Sequence, residues 1–299
     1  MPVFADHTLP AVEALADEGV EILPIADAPS EALRIGLLNL MPLKEMAETD
    51  MLRVLSATDL PVAFSLISLR THVPRHTSAE HMAAHYTPYS AGMERSLDGF
   101  IINGAPLERV AFTDVSYWPE ITMIFDSLRR SHTPSLFICW AAFAAMYHHY
   151  GVDKTLLENK ISGVFPHRVI GAGNRLTTGF DDEFYVPNSR FITWRQADLQ
   201  PAVAEGVRII SDNPLSGVYM ATAFNDREVY ITGHSEYAPL TLDFEYRRDT
   251  ERGMNPSVPV NYYRDDCPEK GPVVKWRAHS RLLFANWISR VVAPGRKSR

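Results

Sequence analysis

Cysteine is scarce in this chain: two in 299 residues, Cys139 and Cys267. So few cannot staple a small secreted domain, and their separation excludes a CxxC metal or redox pair. No run of about 18 or more apolar residues occurs, so no transmembrane helix is expected. The start, Met1-Pro2-Val3-Phe4-Ala5-Asp6-His7, lacks the basic residues and apolar stretch of a signal peptide. These absences give the expectation of a reduced, cytoplasmic protein. Basic charge is also short: 29 Lys and Arg stand against 36 Asp and Glu, a formal charge of −7 with His neutral. Such a chain offers phosphate backbones no attractive field, which argues against nucleic acid as a partner. The one basic cluster, Arg296-Lys297-Ser298-Arg299, reads as a solvated tail. Neither GxGxxG nor a Walker-type loop appears, so the common nucleotide cradles are excluded. Internal repeats and low-complexity stretches are missing as well.

What is present is ordinary globular material. Apolar residues make up 46% and charged residues 22%, enough to bury a core. The length allows one large α/β domain or two smaller ones. Residues 1–33 mix Pro, Ala, Asp and Glu and are expected to form an N-terminal arm; residues 34–299 are expected to form a single catalytic domain. Short apolar runs at Arg34–Leu40, Val62–Ile67, Gly99–Asn103 and Ser135–Ile138 read as buried strands. Helical spacing follows at Glu48–Leu55, from Trp118 to about Arg130, and at Ala141–Tyr147, the last stopped by Gly151. Strands alternating with helices imply a mostly parallel sheet covered on both faces. Val207–Ile210, Gly217–Thr222 and Val229–Thr232 then add closely spaced, hairpin-like strands.

Cys139 sits where an apolar strand meets an Ala-rich helix, the rim at which open α/β sheets bind ligands. A sharp strand-to-helix turn there projects a side chain as a nucleophile elbow. The helix N-terminus favours a thiolate, and the Trp140 N–H faces a developing oxyanion. Buried, inert cysteine is the plainer reading of any single such residue. A thiol nucleophile also needs a base with a partner that orients it. His234 and Glu236, two apart after the strand Val229–Thr232, are expected to share one side of extended backbone. The turn Gly104-Ala105-Pro106-Leu107 follows another strand, and Ala105 is the candidate for a second oxyanion N–H, since Pro106 has none. His148 and His149 show no metal-ligand spacing, so no metal site is expected. Cys267 reads as a bystander in a polar loop.

Several segments together resemble one family. Leu38-Asn39-Leu40-Met41-Pro42-Leu43-Lys44, Asn103-Gly104-Ala105-Pro106-Leu107-Glu108, Phe137-Ile138-Cys139-Trp140-Ala141 and Gly233-His234-Ser235-Glu236-Tyr237 are similar to homoserine O-acyltransferases of the MetA type. So are Lys160–Phe165, Gly179–Asp182, Pro187-Asn188-Ser189-Arg190 and Trp276–Ser280. The matches run in order from about residue 34 to 290. The resemblance implies a flavodoxin-like, class-I glutamine-amidotransferase-like fold. It also implies ping-pong transfer from an acyl-CoA, through a cysteine thioester, to the homoserine hydroxyl, the activating step towards methionine. Acyl-CoA is then a co-substrate, no further cofactor is implied, and a homodimer is suggested.

Carried over residue by residue, Cys139 is the nucleophile, His234 the base and Glu236 its orienting carboxylate. Lys160, Ser189 and Arg248 fall on amino-acid-binding positions; Lys44 and Glu245 match positions near the active site, Lys44 as a support for the oxyanion. The position that discriminates acyl groups holds Glu108. Its bulk and charge oppose a succinyl carboxylate, so acetyl-CoA is the expected donor. The sequence departs from the family pattern at Ser235, Met46-Ala47 and Phe143, all expected near the pocket. Succinyl-CoA as donor and serine as acceptor remain alternatives, as does a cysteine hydrolase of the glutamine-amidotransferase kind. Against that hydrolase, Cys139 lacks the Gly-x-Cys-x-Gly surroundings such amidases favour. A non-enzymatic binding module is the least favoured, because nucleophile, base and carboxylate are all present.

Overall fold

Residues 3–171 and 174–296 are described by a computed structural model. Met1, Pro2 and the tail residues Lys297, Ser298 and Arg299 lie outside them. The segment expected as an arm is instead built into the sheet. Strand β1 (Val3–Ala5), helix α1 (Pro10–Ala16) and strand β2 (Ile22–Pro24) make a parallel unit on its edge. Val3 and Phe4 pair with the strand at Val62, and Ala11 and Leu15 bury themselves in the core. Scattered apolar positions concealed this: three-residue strands leave almost no alternation to read.

The central strands follow the apolar runs closely. β3 (Leu33–Leu38), β4 (Val62–Ser68), β6 (Gly99–Ile102) and β7 (Ser135–Ile138) pair in parallel, with the short β5 (Tyr86–Pro88) beside β4. Every residue of β6 and β7 is buried, as expected of strands covered on both faces. The later chain supplies β8 (Thr155–Val169), β9 (Glu183–Thr193), β10 (Arg208–Asn213), β11 (Gly217–Ala223) and β12 (Glu228–Ile231). β12 joins β7 in parallel, while the rest run antiparallel. The order across the sheet is β2-β1-β4-β3-β6-β7-β12-β11-β10-β8-β9. β7 therefore lies mid-sheet, and Cys139 follows its carboxyl end.

Helices α2 (Lys44–Leu55), α3 (Ala79–His85), α4 (Trp118–Ser131), α5 (Trp140–Tyr150), α6 (Gln200–Ala204), α7 (Thr241–Glu251) and α8 (Arg277–Asn286) complete the frame. α1, α2 and α8 cover one face; α4, α5 and α6 cover the other. Pro119 stands in the first turn of α4, and α5 ends at Gly151 in the left-handed conformation (φ 67°). Residues 140–146 of α5 are buried all round, so this helix is locked in the core. Phe143 belongs to that packing. Its ring lies 4.1 Å from that of Trp194, away from the pocket where it was expected. A third, smaller cluster joins α7 to the Tyr262–Trp276 region. No helix among the described residues is long and apolar enough to cross a membrane.

Candidate active site

The carboxyl ends of β3, β6, β7 and β12 meet at one rim. Two asparagines stitch the first pair of loops together. The Asn103 amide donates to Asn39 Oδ1 at 2.8 Å, and the Leu40 N–H donates to Asn103 Oδ1 at 2.6 Å. Lys44 fastens the same loop from below. Its ammonium donates to the carbonyls of Asn39 and Met41 and lies 5.5 Å above the Tyr86 ring. Burial pushes that amine down to about 8, with Glu48 opposing. Lys44 thus stands in the neighbouring groove rather than in the cleft that holds Cys139, where an oxyanion support was expected.

Cys139 occupies a strained turn, with φ 53° and ψ −123°, between β7 and α5. An L-residue holds this conformation only when its surroundings impose it. Here the Cys139 N–H is tied to the Ile231 carbonyl at 2.8 Å, and its own carbonyl accepts from Ala142 at 2.9 Å. Gly104 fits tightly against the elbow: a Cβ there would stand 3.0 Å from the Cys139 Cβ and 3.3 Å from the Trp140 N. Only hydrogen at that position leaves the Trp140 N–H open to a ligand. Gly104→Ala is expected to lower kcat about 10²-fold with little loss of Tm, checked by steady-state kinetics beside a thermal melt. An unchanged kcat would show that this N–H takes no part.

The histidine and its carboxylate meet as expected, although not on extended backbone. Residues Ser235 and Glu236 form a turn, and Glu236 Oε1 lies 2.6 Å from His234 Nδ1. The His234 N–H is anchored to the Pro187 carbonyl at 2.8 Å, and the ring stacks on Tyr237 at 4.2 Å. The Cys139 sulfur shares the cleft with His234 and acts on its ring electrostatically. Burial disfavours a charged ring, yet the Cys139 sulfur and the Glu236 carboxylate outweigh it and hold the imidazole well above its ordinary range. The arrangement suits a protonated imidazole beside the thiol. Ser235, where the family pattern has Pro, is buried with its hydroxyl 2.5 Å from that of Tyr219.

A cleft of about 210 Å³ opens over the sulfur. Among the candidate residues it brings together Cys139, Ala105, Glu108, Lys160, Ser189, His234, Glu245 and Arg248. Glu236 stands behind His234, and Trp140 contributes only backbone, its side chain being fully buried. Lys160 comes from β8, Ser189 from β9, and Glu245 and Arg248 from α7, so three distant segments close one wall. The Ser189 hydroxyl donates to Glu245, whose other oxygen accepts from Tyr237 at 2.9 Å. Lys160 lies 3.1 Å from Asp249 and 3.9 Å from Glu245, and Arg248 binds Asp249 at 2.7 Å. Glu108 faces the same space; burial raises its carboxyl, while Lys160 and His234 oppose the shift. Met46 and Ala47 line a smaller hollow behind Met41 and Glu236 instead.

Three residues at this site were not singled out from sequence. Asp249 pairs with both cations of the wall. Tyr237 supports the His234 ring, and its membership of the Gly233–Tyr237 motif was the available signal. Arg190 is fully buried, donating to the carbonyls of Ser216 (2.7 Å) and Ile192 and to Asn188 Oδ1 (3.2 Å). Burial pushes its guanidinium down to about 10, with the charges of Cys139 and Glu108 opposing. Elsewhere, the fold sets Asp126 2.9 Å from His148 and beside His149, a carboxylate partner that linear spacing concealed. These groups lie at the far end of α5 from Cys139. Cys267 donates to Glu269 at 3.0 Å, outside the cleft.

The layout of sheet, elbow and His–Glu turn defines a class-I glutamine-amidotransferase fold. A glutamine amidotransferase from Thermotoga maritima superposes with a TM-score of 0.58 at 10% identity, covering 88% of this chain and 99% of that one. The sequence comparisons are narrower. The family model described as homoserine O-succinyltransferase matches residues 2–295, and the chain belongs to that family. A homoserine O-acetyltransferase from Bacteroides thetaiotaomicron is 47% identical over 292 residues, 97% of this chain and 95% of that protein. A homoserine O-succinyltransferase from Shewanella woodyi is 41% identical over 294 residues, 97% and 92% of the two chains.

Proposed function

We propose that this chain transfers an acetyl group from acetyl-CoA to the hydroxyl of L-homoserine, through a thioester on Cys139. The observation that carries the reading is one cleft holding a thiol beside an oriented imidazole, together with a wall of paired charges suited to an amino acid. The Cys139 thiolate attacks the donor carbonyl, and the oxyanion is met by the Trp140 and Ala105 N–H groups. Collapse breaks the C–S bond to CoA, and the His234 imidazolium gives its proton to the departing CoA thiolate. Homoserine then enters with its carboxylate towards Arg248 and Lys160 and its ammonium towards Glu245. His234, now neutral, takes the hydroxyl proton as the oxygen attacks the thioester, and Cys139 leaves as thiolate while the ester forms. The chemistry of a reduced thiol and a CoA ester suits the cytoplasm.

Glu108 supports acetyl as the group carried. It stands in the cleft near His234 and Lys160, and its burial already raises its carboxyl. A succinyl carboxylate brought beside it would add a second charge to the same partly dry space. The kcat/KM ratio for acetyl-CoA against succinyl-CoA is expected to exceed about tenfold, equivalent to ~1.4 kcal/mol. Glu108→Gly is expected to move that ratio towards succinyl by about the same factor. A wild-type preference for succinyl-CoA would refute acetyl as the donor group.

A further inference from the structure

Beside the cleft lies a larger groove of about 760 Å³, within the range of pockets that take cofactor-sized ligands. Cleft and groove share Met41, Pro42, Ala105 and Pro106, so one continuous surface runs past the elbow from one into the other. The charged wall of Lys160, Glu245 and Arg248 closes only the cleft end. The groove has a different chemistry. Its lining carries the basic side chains of Lys44, His72, Arg75 and His76 and a single carboxylate, Asp114, with the Lys44 ammonium already held by backbone carbonyls and Arg75, among the described residues, the free positive charge.

The loop that presents His72, Arg75 and His76 is anchored at its root and open at its tip. The N–H groups of Arg70 and Thr71 both donate to the Glu120 carboxylate at 2.8 Å. Beyond that clamp, Arg75 and His76 are exposed, and Arg75 has no carboxylate partner among the described residues. His72 packs edge-on against Tyr117 at 5.1 Å; burial lowers its pKa, and the charges of Lys44 and Arg75 lower it further. The same groove is also lined by apolar side chains, Leu40, Val110 and the 82%-exposed Val73 among them. An exposed arginine, apolar lining and continuity with the cleft of the thiol match a ligand with phosphates at one end, an uncharged arm and a thioester at the other.

We infer that this groove holds the pantetheine arm and nucleotide of the acyl-CoA donor, with Arg75 and His76 taking its phosphates. The inference rests on the reading of a CoA ester as donor. The acceptor then enters from the Arg248 side, and the two substrates approach Cys139 from opposite ends. Arg–phosphate contacts are charge-assisted and forked, so reversing the charge at Arg75 removes an attraction and adds a repulsion.

The test compares Arg75→Glu and Arg75→Lys with wild type on two donors: acetyl-CoA, and S-acetyl-N-acetylcysteamine, which carries the thioester without the nucleotide. Arg75→Glu is expected to raise KM for acetyl-CoA about tenfold or more, with kcat within about twofold and KM for homoserine unchanged. Its kcat/KM on the truncated thioester should equal that of wild type, and Arg75→Lys should recover most of the loss on acetyl-CoA. An unchanged KM for acetyl-CoA, or an equal loss on both donors, overturns the groove assignment. Failure of wild-type Cys139 to accept acetyl from either thioester overturns the donor reading and the groove with it, a result distinct from the first.

Discussion

Cys139→Ala is expected to lower turnover by at least about 10⁴-fold, because no other side chain in the cleft can carry the acyl group. Lys160 is committed to Asp249, and Ser189 to Glu245. The same position also tests the strain at the elbow. At φ 53° and ψ −123° an L-residue is held where glycine is at ease. Cys139→Gly should therefore be as inactive as Cys139→Ala yet more stable than it by roughly 1–3 kcal/mol. Steady-state rates and chemical denaturation of the two variants measure both effects. Equal stabilities would show that the elbow stores no strain; residual turnover within about tenfold of wild type would remove the thioester from the pathway.

Glu236→Gln is expected to lower kcat about 10³-fold while leaving the fold intact. Glu236 Oε1 fixes the tautomer of His234 through a 2.6 Å hydrogen bond, and an amide can present its NH₂ there and turn the ring the wrong way. The variant carries a second signature. The Glu236 charge is one of two that hold the His234 imidazole above its ordinary range, against the opposing effect of burial. Without it, the ring releases its proton at lower pH, so the limb of the rate profile that reports His234 moves down. A loss of rate with no movement of that limb would mean that Glu236 serves only to pack the turn.

Much of this site is legible in sequence because the chemistry falls at strand ends. Ser135–Ile138 and Gly99–Asn103 are apolar runs with sharp limits, and the residue after each run stands at the rim. The positions of Cys139 and of the Gly104 turn follow from that alone. His234 and Glu236 follow a third such run, so strand boundaries place all three candidate residues at the rim, while their roles come from the family resemblance. The other wall is opaque for a physical reason. Lys160 lies in β8, whose sequence Thr155–Val169 mixes charge, Gly163 and Pro166 and reads as loop. It holds as a strand through its long antiparallel pairing with β9 and through Gly163, where a Cβ would come within 2.4 Å of the Val260 backbone. That close approach is long-range and leaves no local signal. Lys160, Ser189 and Arg248 could be named beforehand only by family resemblance. The N-terminal strands were lost to brevity, and Phe143 was misplaced because helix α5 is apolar on every side, so no face betrays the pocket.

Mass spectrometry of the protein incubated with acetyl-CoA, homoserine withheld, examines the thioester directly. A gain of about 42 Da is expected on the peptide that contains Cys139, the mass of an acetyl group replacing hydrogen, with its discharge on adding homoserine. A protein that turns over both substrates while Cys139 stays unmodified under those conditions would contradict it.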